Sequence, residues 1–313
     1  MCWKRRRRMK IQSVTSMMLL AGLAGVAQGQ ETLVGVTTSG SVVTFRSNAP
    51  GTLLSNTVIS GLNAGDRIQG IDLRPQTGEI IAIGETTQLY SLNAVTGVAT
   101  PIGAGFTPGL DGGAFTRHGI DINPTVDRVR VVGSGAQNRR LNPITGASVA
   151  PTDTALTYNP AVGLGLPPRA VAVAYTNSLF GVPAGSTREY ILDSLNNVLG
   201  EVGTQAGGNG SFNAGVVGST FAVRLGLNIL DFSDNAGFDI SGATGIAYAS
   251  FDLQSDPAGS PTGVYTIDLA SGQAVLLGNA GVALRDITVI PAPSAAGLLA
   301  AGALVAGRRR RTR

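Results

Sequence analysis

Gly70-Ile71-Asp72-Leu73-Arg74-Pro75 returns 49 residues later as Gly119-Ile120-Asp121-Ile122-Asn123-Pro124. Leu92-Asn93-Ala94-Val95-Thr96-Gly97 returns at the same 49-residue offset as Leu141-Asn142-Pro143-Ile144-Thr145-Gly146. Two markers that keep one spacing define a repeated unit, and self-similarity at this period signals a stacked or circular array. A looser copy runs through Val171 to Tyr175, Tyr190-Ile191-Leu192-Asp193 and Asn196-Asn197. Another holds Gly237-Phe238-Asp239-Ile240, then Val264-Tyr265-Thr266-Ile267-Asp268 and Ser271-Gly272.

Each copy reads as strand, turn, strand, loop, strand, tight turn, strand: short runs of Val, Ile, Leu, Thr and Tyr separated by Gly, Asn, Asp and Ser. Thr-Gly, Asn-Asn and Ser-Gly occupy the tight turn, where one residue needs a positive φ. Roughly fifty residues with four short strands is the size of one β-propeller blade, whose two faces are buried only between neighbouring blades. The expected fold is all-β, a propeller of about five four-stranded blades. Asp286-Ile287-Thr288-Val289 reads as an innermost strand without outer partners. Thr32 to Val36, Val42 to Phe45 and Thr52 to Ser55 read as outer strands without an inner one. Joining them pairs the two ends of the chain and removes two free sheet edges. Residues 204–235, Gly-rich with one apolar run from Phe221 to Leu230, read as a long loop or as a degenerate sixth blade.

The ends read as addresses. Basic residues to Lys10, an apolar run from Met17 to about Ala27 and the small residues before Gln30 have the order of a secretory signal, which assigns 1–29 to a signal peptide cut by signal peptidase. Residues 30–290 form the propeller-like domain. At 291–313, Pro291-Ala292-Pro293-Ser294 leads into a short apolar run and then Arg308-Arg309-Arg310-Arg311. Thirteen apolar or small residues, Ala295 to Gly307, reach roughly 20 Å as a helix, short of the ~30 Å hydrocarbon core. The order Pro-x-Pro, apolar helix, arginine cluster resembles the PEP-CTERM sorting tail, with Ala292 where the usual Glu stands. That likeness implies an exosortase-like enzyme as a partner, a transient inner-membrane tail, and a destination at the cell surface, outer membrane or outside the cell.

Of 23 basic residues, six lie in the first ten positions and five in the last six. The body between holds 12 Arg, no Lys and all 19 acids, a net charge of 12 − 19 = −7. A nucleic-acid partner is excluded, because no cation excess remains to displace phosphate counterions. The only cysteine is Cys2 and the only histidine is His118. Internal disulfides, Cys/His metal sites and Cys–His dyads are therefore excluded.

Together, Gly-Ile-Asp-x-Arg-Pro at 70–75, Leu-Tyr-Ser-Leu-Asn…Thr-Gly at 89–97, Gly-Phe-Asp-Ile at 237–240 and Val-Tyr-Thr-Ile-Asp-Leu-Ala-Ser-Gly at 264–272 resemble a bacterial family catalogued as domain of unknown function 4394. The likeness covers about residues 31–290. It implies an exported propeller-like protein and carries over no catalytic residue.

No P-loop lysine and no Gly-x-Ser-x-Gly elbow occur in the body. His118 reads as a solvent-facing or strand-end histidine, with no nucleophile or orienting group beside it in sequence. Asp231 to Asn235 and Asp252 to Asp256 are acid-rich loops without the ligand order of an EF-hand. No cofactor is called for, calcium being the one left open. Asp72, Asp121 and Asp239 share a repeat position, Asp286 aligns more loosely, and Ala172 stands there in the remaining blade. Arg67, Arg117, Arg169 and Arg285 precede the corresponding strands. The eight are the candidate ligand-binding set. The competing structural expectation is that each Asp bonds backbone N–H groups or an Arg of the next blade, with arginine the default counter-charge. The function expected is that of a non-enzymatic cell-surface or extracellular protein, in ligand binding, adhesion or matrix, with a glycan or protein as its surface ligand. The alternative is an extracellular hydrolase or lyase using Asp and Arg in the channel.

Overall fold

The repeated unit folds as a sheet, and the sheets stand in a ring. The computed structural model describes residues 30–111, 116–203 and 211–290. Strands β1 (Thr32–Thr37), β2 (Ser41–Arg46) and β3 (Ala49–Val58) open the chain. They are followed by β4 (Ile68–Leu73), β5 (Ile80–Gly84), β6 (Leu89–Leu92) and β7 (Ala99–Ile102), which form the second blade in that order. The third blade has β8 (His118–Asn123), β9 (Arg128–Gly133) and β10 (Asn138–Leu141). A two-residue strand, β11 (Thr157–Tyr158), then joins the fourth blade, β12 (Ala170–Tyr175), β13 (Glu189–Asp193), β14 (Val198–Val202) and β15 (Val216–Ala222). The hairpin β16 (Arg224–Leu225) and β17 (Asn228–Ile229) lies on the outer edge of the fifth, β18 (Phe232–Ile240), β19 (Ala247–Leu253), β20 (Gly263–Ile267) and β21 (Gln273–Asn279). The last strand, β22 (Leu284–Ile290), pairs with β1, so the first blade reads β22-β1-β2-β3. The ring is thus closed between the chain ends, as its unpartnered strands predict.

Period-two alternation builds the seams. Ile80 and Ala82 of β5 turn toward the first blade, where they join Val34, Val36 and Val42. Their neighbours Ile81 and Ile83 turn the other way, onto Ile120, Ile122, Val129 and Val131. Val132 and Val173 mark the seam between blades three and four, and Leu192, Phe232, Phe238 and Phe251 that between four and five. Tyr248 and Val264 meet Leu33, Val43 and Ile287 at the fifth seam. Five apolar clusters thus occupy five seams, and each fully buried Val, Leu, Ile or Phe contributes about 1.5–3 kcal/mol.

The tight turns follow the repeat. Asn93 Oδ1 accepts the N–H groups of Val95 and Thr96, and Asn142 Oδ1 those of Ile144 and Thr145. Gly97 at φ 72°, Gly146 at φ 71° and Gly272 at φ 73° then reverse the chain, in a conformation that disfavours any Cβ.

Three expectations need correction. Blade number is five, but only the first two sheets have four strands; the third has three, the fourth five and the fifth six. Beyond Gly146 the third blade keeps only a bridge from Ser148 to Leu141, and β11 has gone to the fourth sheet. Within residues 204–235, 204–210 lie outside the described residues; the rest is neither a loop nor a sixth blade but the outer strand β15, the hairpin β16–β17 and the start of β18. The looser third copy is also one strand out of step: Asn197, φ 54°, turns between β13 and β14, the second and third strands of its blade, because a longer excursion separates β12 from β13. The signal at 1–29 and the tail with Pro291, Pro293 and Arg308 to Arg311 lie outside the described residues. No helix among the described residues is long and apolar enough to cross a membrane.

Candidate functional site

The innermost strands β22, β4, β8, β12 and β18 run side by side around the axis, and hydrogen bonds between them fix which residues share a level. Asp72 accepts the N–H of Leu73 at 2.7 Å in its own strand and that of Ile122 in the next blade at 2.8 Å. Asp121 accepts Tyr175 N–H at 3.2 Å, and Asp239 accepts Val289 N–H at 2.6 Å. Thr288 takes the same role with its hydroxyl, accepting Leu73 N–H at 3.0 Å. One level therefore holds Asp72, Asp121, Ala174, Asp239 and Thr288. Asp286 is not part of it. It accepts Ile71 N–H at 2.8 Å, two residues earlier, on the level of Gly70, Gly119, Ala172 and Gly237.

That second level explains the glycine of the repeat. A Cβ on Gly237 would lie 2.6 Å from Asp286 Oδ1 and 2.7 Å from its Cα, and one on Gly119 would lie 2.5 Å from Ala172 Cα. The strands approach too closely for a side chain, and Asp286 fills the space that the glycines leave. Ala172 and Ala174 alternate in Ala-Val-Ala-Val-Ala-Tyr, so sequence alone placed the fourth blade one step off.

All four carboxyl groups are buried. Burial pushes Asp72, Asp121 and Asp286 well above the ordinary carboxylate range, and Asp239 above it. Mutual repulsion adds to the effect at Asp72 and Asp121. One oxygen from each of Asp72, Asp121 and Asp239 lies within 4.8 Å of the others. Beside Asp72 and Asp239 is a cavity of only ≈ 10 Å³, lined also by Ser178, Ser241 and Gly242. A sugar ring has no room there, unlike the cleft between the carboxyl groups of a glycosidase.

The arginines do not neutralise this layer. Arg67 precedes Asp72 by five residues, about 16 Å along an extended strand, at the opposite mouth of the ring. Arg285 pairs with Glu85 at 3.3 Å, and Arg169 with Asp234 at 3.0 Å. Arg67 and Arg117 make no ion pair among the described residues. They lie near enough to Arg285 that, after burial, their charge lowers its proton affinity, with Glu85 opposing. This strand-start mouth continues into a cleft of ≈ 500 Å³ lined by Arg67, Arg285, Asp66 and the β1–β2 turn. The backbone-bonding expectation for the aspartates holds; arginine as counter-charge does not.

His118 heads β8 but is buried, not solvent-facing. Its ring Nδ1 lies 3.3 Å from Gln69 Oε1, and burial, then Arg139 and Arg117, lower its pKa to about 4. The first acid-rich stretch runs into β18 and the second leaves β19 for a turn: Asp231 bonds Asn197, Asp234 bonds Ser194, Asp252 bonds Asn235 and Thr262, and Asp256 accepts Leu253 N–H.

The sequence matches the family described as Domain of unknown function (DUF4394) over residues 41–288. The chain belongs to this family. A search of curated proteins gives no match. Among solved structures, that of BamB from Moraxella catarrhalis is similar at 16% identity and a TM-score of 0.32, over 78% of this chain and 57% of that one.

This DUF4394 member carries one further polar centre that the repeat does not announce. Arg130 of β9 donates to Tyr175 Oη at 3.0 Å, Asn138 at 2.8 Å, Asp153 at 2.5 Å and Asn213 at 2.9 Å. Its Nε also lies 3.2 Å from Glu189, which accepts the Tyr175 hydroxyl at 2.5 Å. Arg140 gives Asp153 a second partner at 2.7 Å. Two cations and two carboxylates balance, so the cluster clamps blade three to blade four. A cleft of ≈ 440 Å³ opens over it, between Arg128, Arg140 and Phe212. Nothing in the sequence marks it: in Arg128-Val129-Arg130-Val131, Arg130 stands in the polar slot of a period-two alternation.

Proposed function

We propose that this chain is an exported, non-enzymatic binding protein of the cell surface, outer membrane or extracellular space, and that the strand-start mouth takes an anionic ligand of the acidic-glycan class. One observation carries the reading: Arg67, Arg117 and Arg285 converge at that mouth with Glu85 as their single paired carboxylate, beside a cleft of ≈ 500 Å³. Guanidinium groups match carboxylate and sulfate geometry in a bidentate fork. On a body of net charge −7, a positive mouth selects by local contact and not by bulk attraction. The hydrolase or lyase alternative has less support, because the axial carboxyl groups are buried, bonded to backbone amides and without substrate room.

The test is calorimetric titration of the mature protein with an acidic and a neutral polysaccharide. The acidic polymer should bind, and Arg67→Ala with Arg117→Ala should weaken it at least about tenfold, since a hydrogen bond to a charged group contributes about 1.5–3 kcal/mol. Glu85→Gln should strengthen it. Equal binding of both polymers, or indifference to the arginine pair, would overturn the reading. Export is tested by intact mass of surface-fraction protein: an N-terminus near Gln30 and loss beyond about Pro293 are expected, and a mass retaining Arg308 to Arg311 would sink the sorting tail.

A further inference from the structure

We propose that Asp72, Asp121 and Asp239 coordinate one hard divalent cation, of the calcium class, on the axis near the strand-end mouth. The donors are all oxygen, which suits calcium and not a thiolate- or imidazole-seeking metal. Their oxygens lie within 4.8 Å of one another. Ligands at about 2.3–2.6 Å on opposite sides of a calcium ion stand about 4.6–5.2 Å apart, so the three fit one coordination sphere.

Two independent defects in the hydrogen bonding point to a missing positive partner. Asp121 Oδ1 is buried with no donor among the described residues, on a residue 1% exposed. Thr288 Oγ1 lies 3.1 Å from Asp72 Oδ1 and 2.9 Å from Asp239 Oδ2. A hydroxyl has one hydrogen, so only one of these contacts is a hydrogen bond that it donates. The other sets two acceptor oxygens face to face. A cation held by the three carboxylates relieves both defects, and the arginines that would otherwise offset the charge are at the far mouth. The cavity of ≈ 10 Å³ beside Asp72 and Asp239 is about the size of one water, enough for a water that completes the coordination shell. The amides of Leu73, Ile122, Tyr175 and Val289 already hold the carboxylates in place, so the ligands are pre-positioned.

The alternative occupant is a proton shared among the carboxyl groups, and the experiment separates the two. The mature protein is unfolded in guanidinium with EDTA, refolded and desalted, then melted with and without calcium chloride; a second sample, never exposed to chelator, is analysed for metal after gel filtration. About one calcium per chain is expected, with Tm raised by about 5–10 °C at calcium a hundredfold above Kd. Asp121→Asn should abolish the rise, and Asp72→Asn serves if that variant does not fold. Asp256→Asn, in the acid-rich stretch, should keep it. Metal-free protein whose Tm ignores both EDTA and calcium would assign the layer to a proton and overturn the proposal. So would a calcium response that survives Asp121→Asn and Asp72→Asn, or one that Asp256→Asn removes.

Discussion

Replacing Arg130 by methionine should leave the apolar stem in place and remove the charge. Arg130 is 1% exposed and touches five partners, but they do not suffer equally. Asp153 keeps Arg140 at 2.7 Å. Glu189, 0% exposed, keeps the Tyr175 hydroxyl and loses Arg130, its one ion-pair partner among the described residues. One buried carboxylate is thus stranded, and stranding a partner of this kind costs about 3–5 kcal/mol. For a body of this size, with roughly 2–4 °C per kcal/mol, Tm should fall by roughly 10 °C. The cost must also depend on pH. Burial already raises the Glu189 pKa, Arg130 being the main influence that lowers it. Without that cation the folded-state pKa rises further above the unfolded value. A carboxyl with a raised folded pKa carries no penalty below its unfolded pKa and a growing one as pH rises through the folded pKa. The difference between wild type and Arg130→Met should therefore widen as pH rises above the ordinary carboxyl range, by at most about 1.4 kcal/mol per pH unit. Denaturant melts followed by circular dichroism over that rise measure it, and Glu189→Gln added to Arg130→Met should recover about half the loss. A cost under about 1 kcal/mol, or one flat with pH, would refute the clamp.

Gly237→Ala should destabilise more than Gly70→Ala, because its Cβ meets backbone at 2.7 Å where that of Gly70 meets nothing closer than 3.2 Å; denaturant midpoints of the two variants decide, and equal losses would count against the close approach. Gly97→Val and Gly146→Val should each cost more than about 1 kcal/mol, since φ is 72° and 71° and the new Cβ would lie 2.4 Å from Val58 O and 2.3 Å from Ile102 O. His118, with its pKa lowered to about 4, stays neutral in the folded chain while the unfolded chain protonates below about 6.5, so stability should fall as pH drops from about 6.5 to 4. The part owed to His118 should vanish in His118→Gln, and parallel pH profiles of the two proteins would refute it.

The ring was legible because its demands fall on single residues at fixed spacing. A close approach needs Gly, a reversal needs a positive φ, and the amide of the next blade needs a carboxylate, so Gly-Ile-Asp and Asn…Thr-Gly recur. Outer strands make no such demand, and the count of strands per blade stayed hidden. So did the level of Asp286, since a shift of two residues keeps the same face of a strand. The clamp was out of reach for another reason: Arg130, Asp153, Glu189 and Asn213 are brought together by the third-to-fourth seam and share no repeat. Arginine as counter-charge failed on distance, since residues at the start of a strand cannot meet groups near its end.

Thr32 stands opposite Ile290 where β1 pairs with β22. The polypeptide therefore enters and leaves the ring side by side, at the strand-end mouth where β22 ends. Arg285 sits near the other end of that strand, about 16 Å away across the thickness of the disc. A stalk attached beyond residue 290 would hold the disc at its strand-end mouth, close to the axis, and turn its arginine side outward, away from whatever the stalk is fixed to. The aspartate layer would then lie on the inner side, shielded from large molecules in the medium. Shortening such a stalk would change how far the arginine side stands off, but not which side is presented.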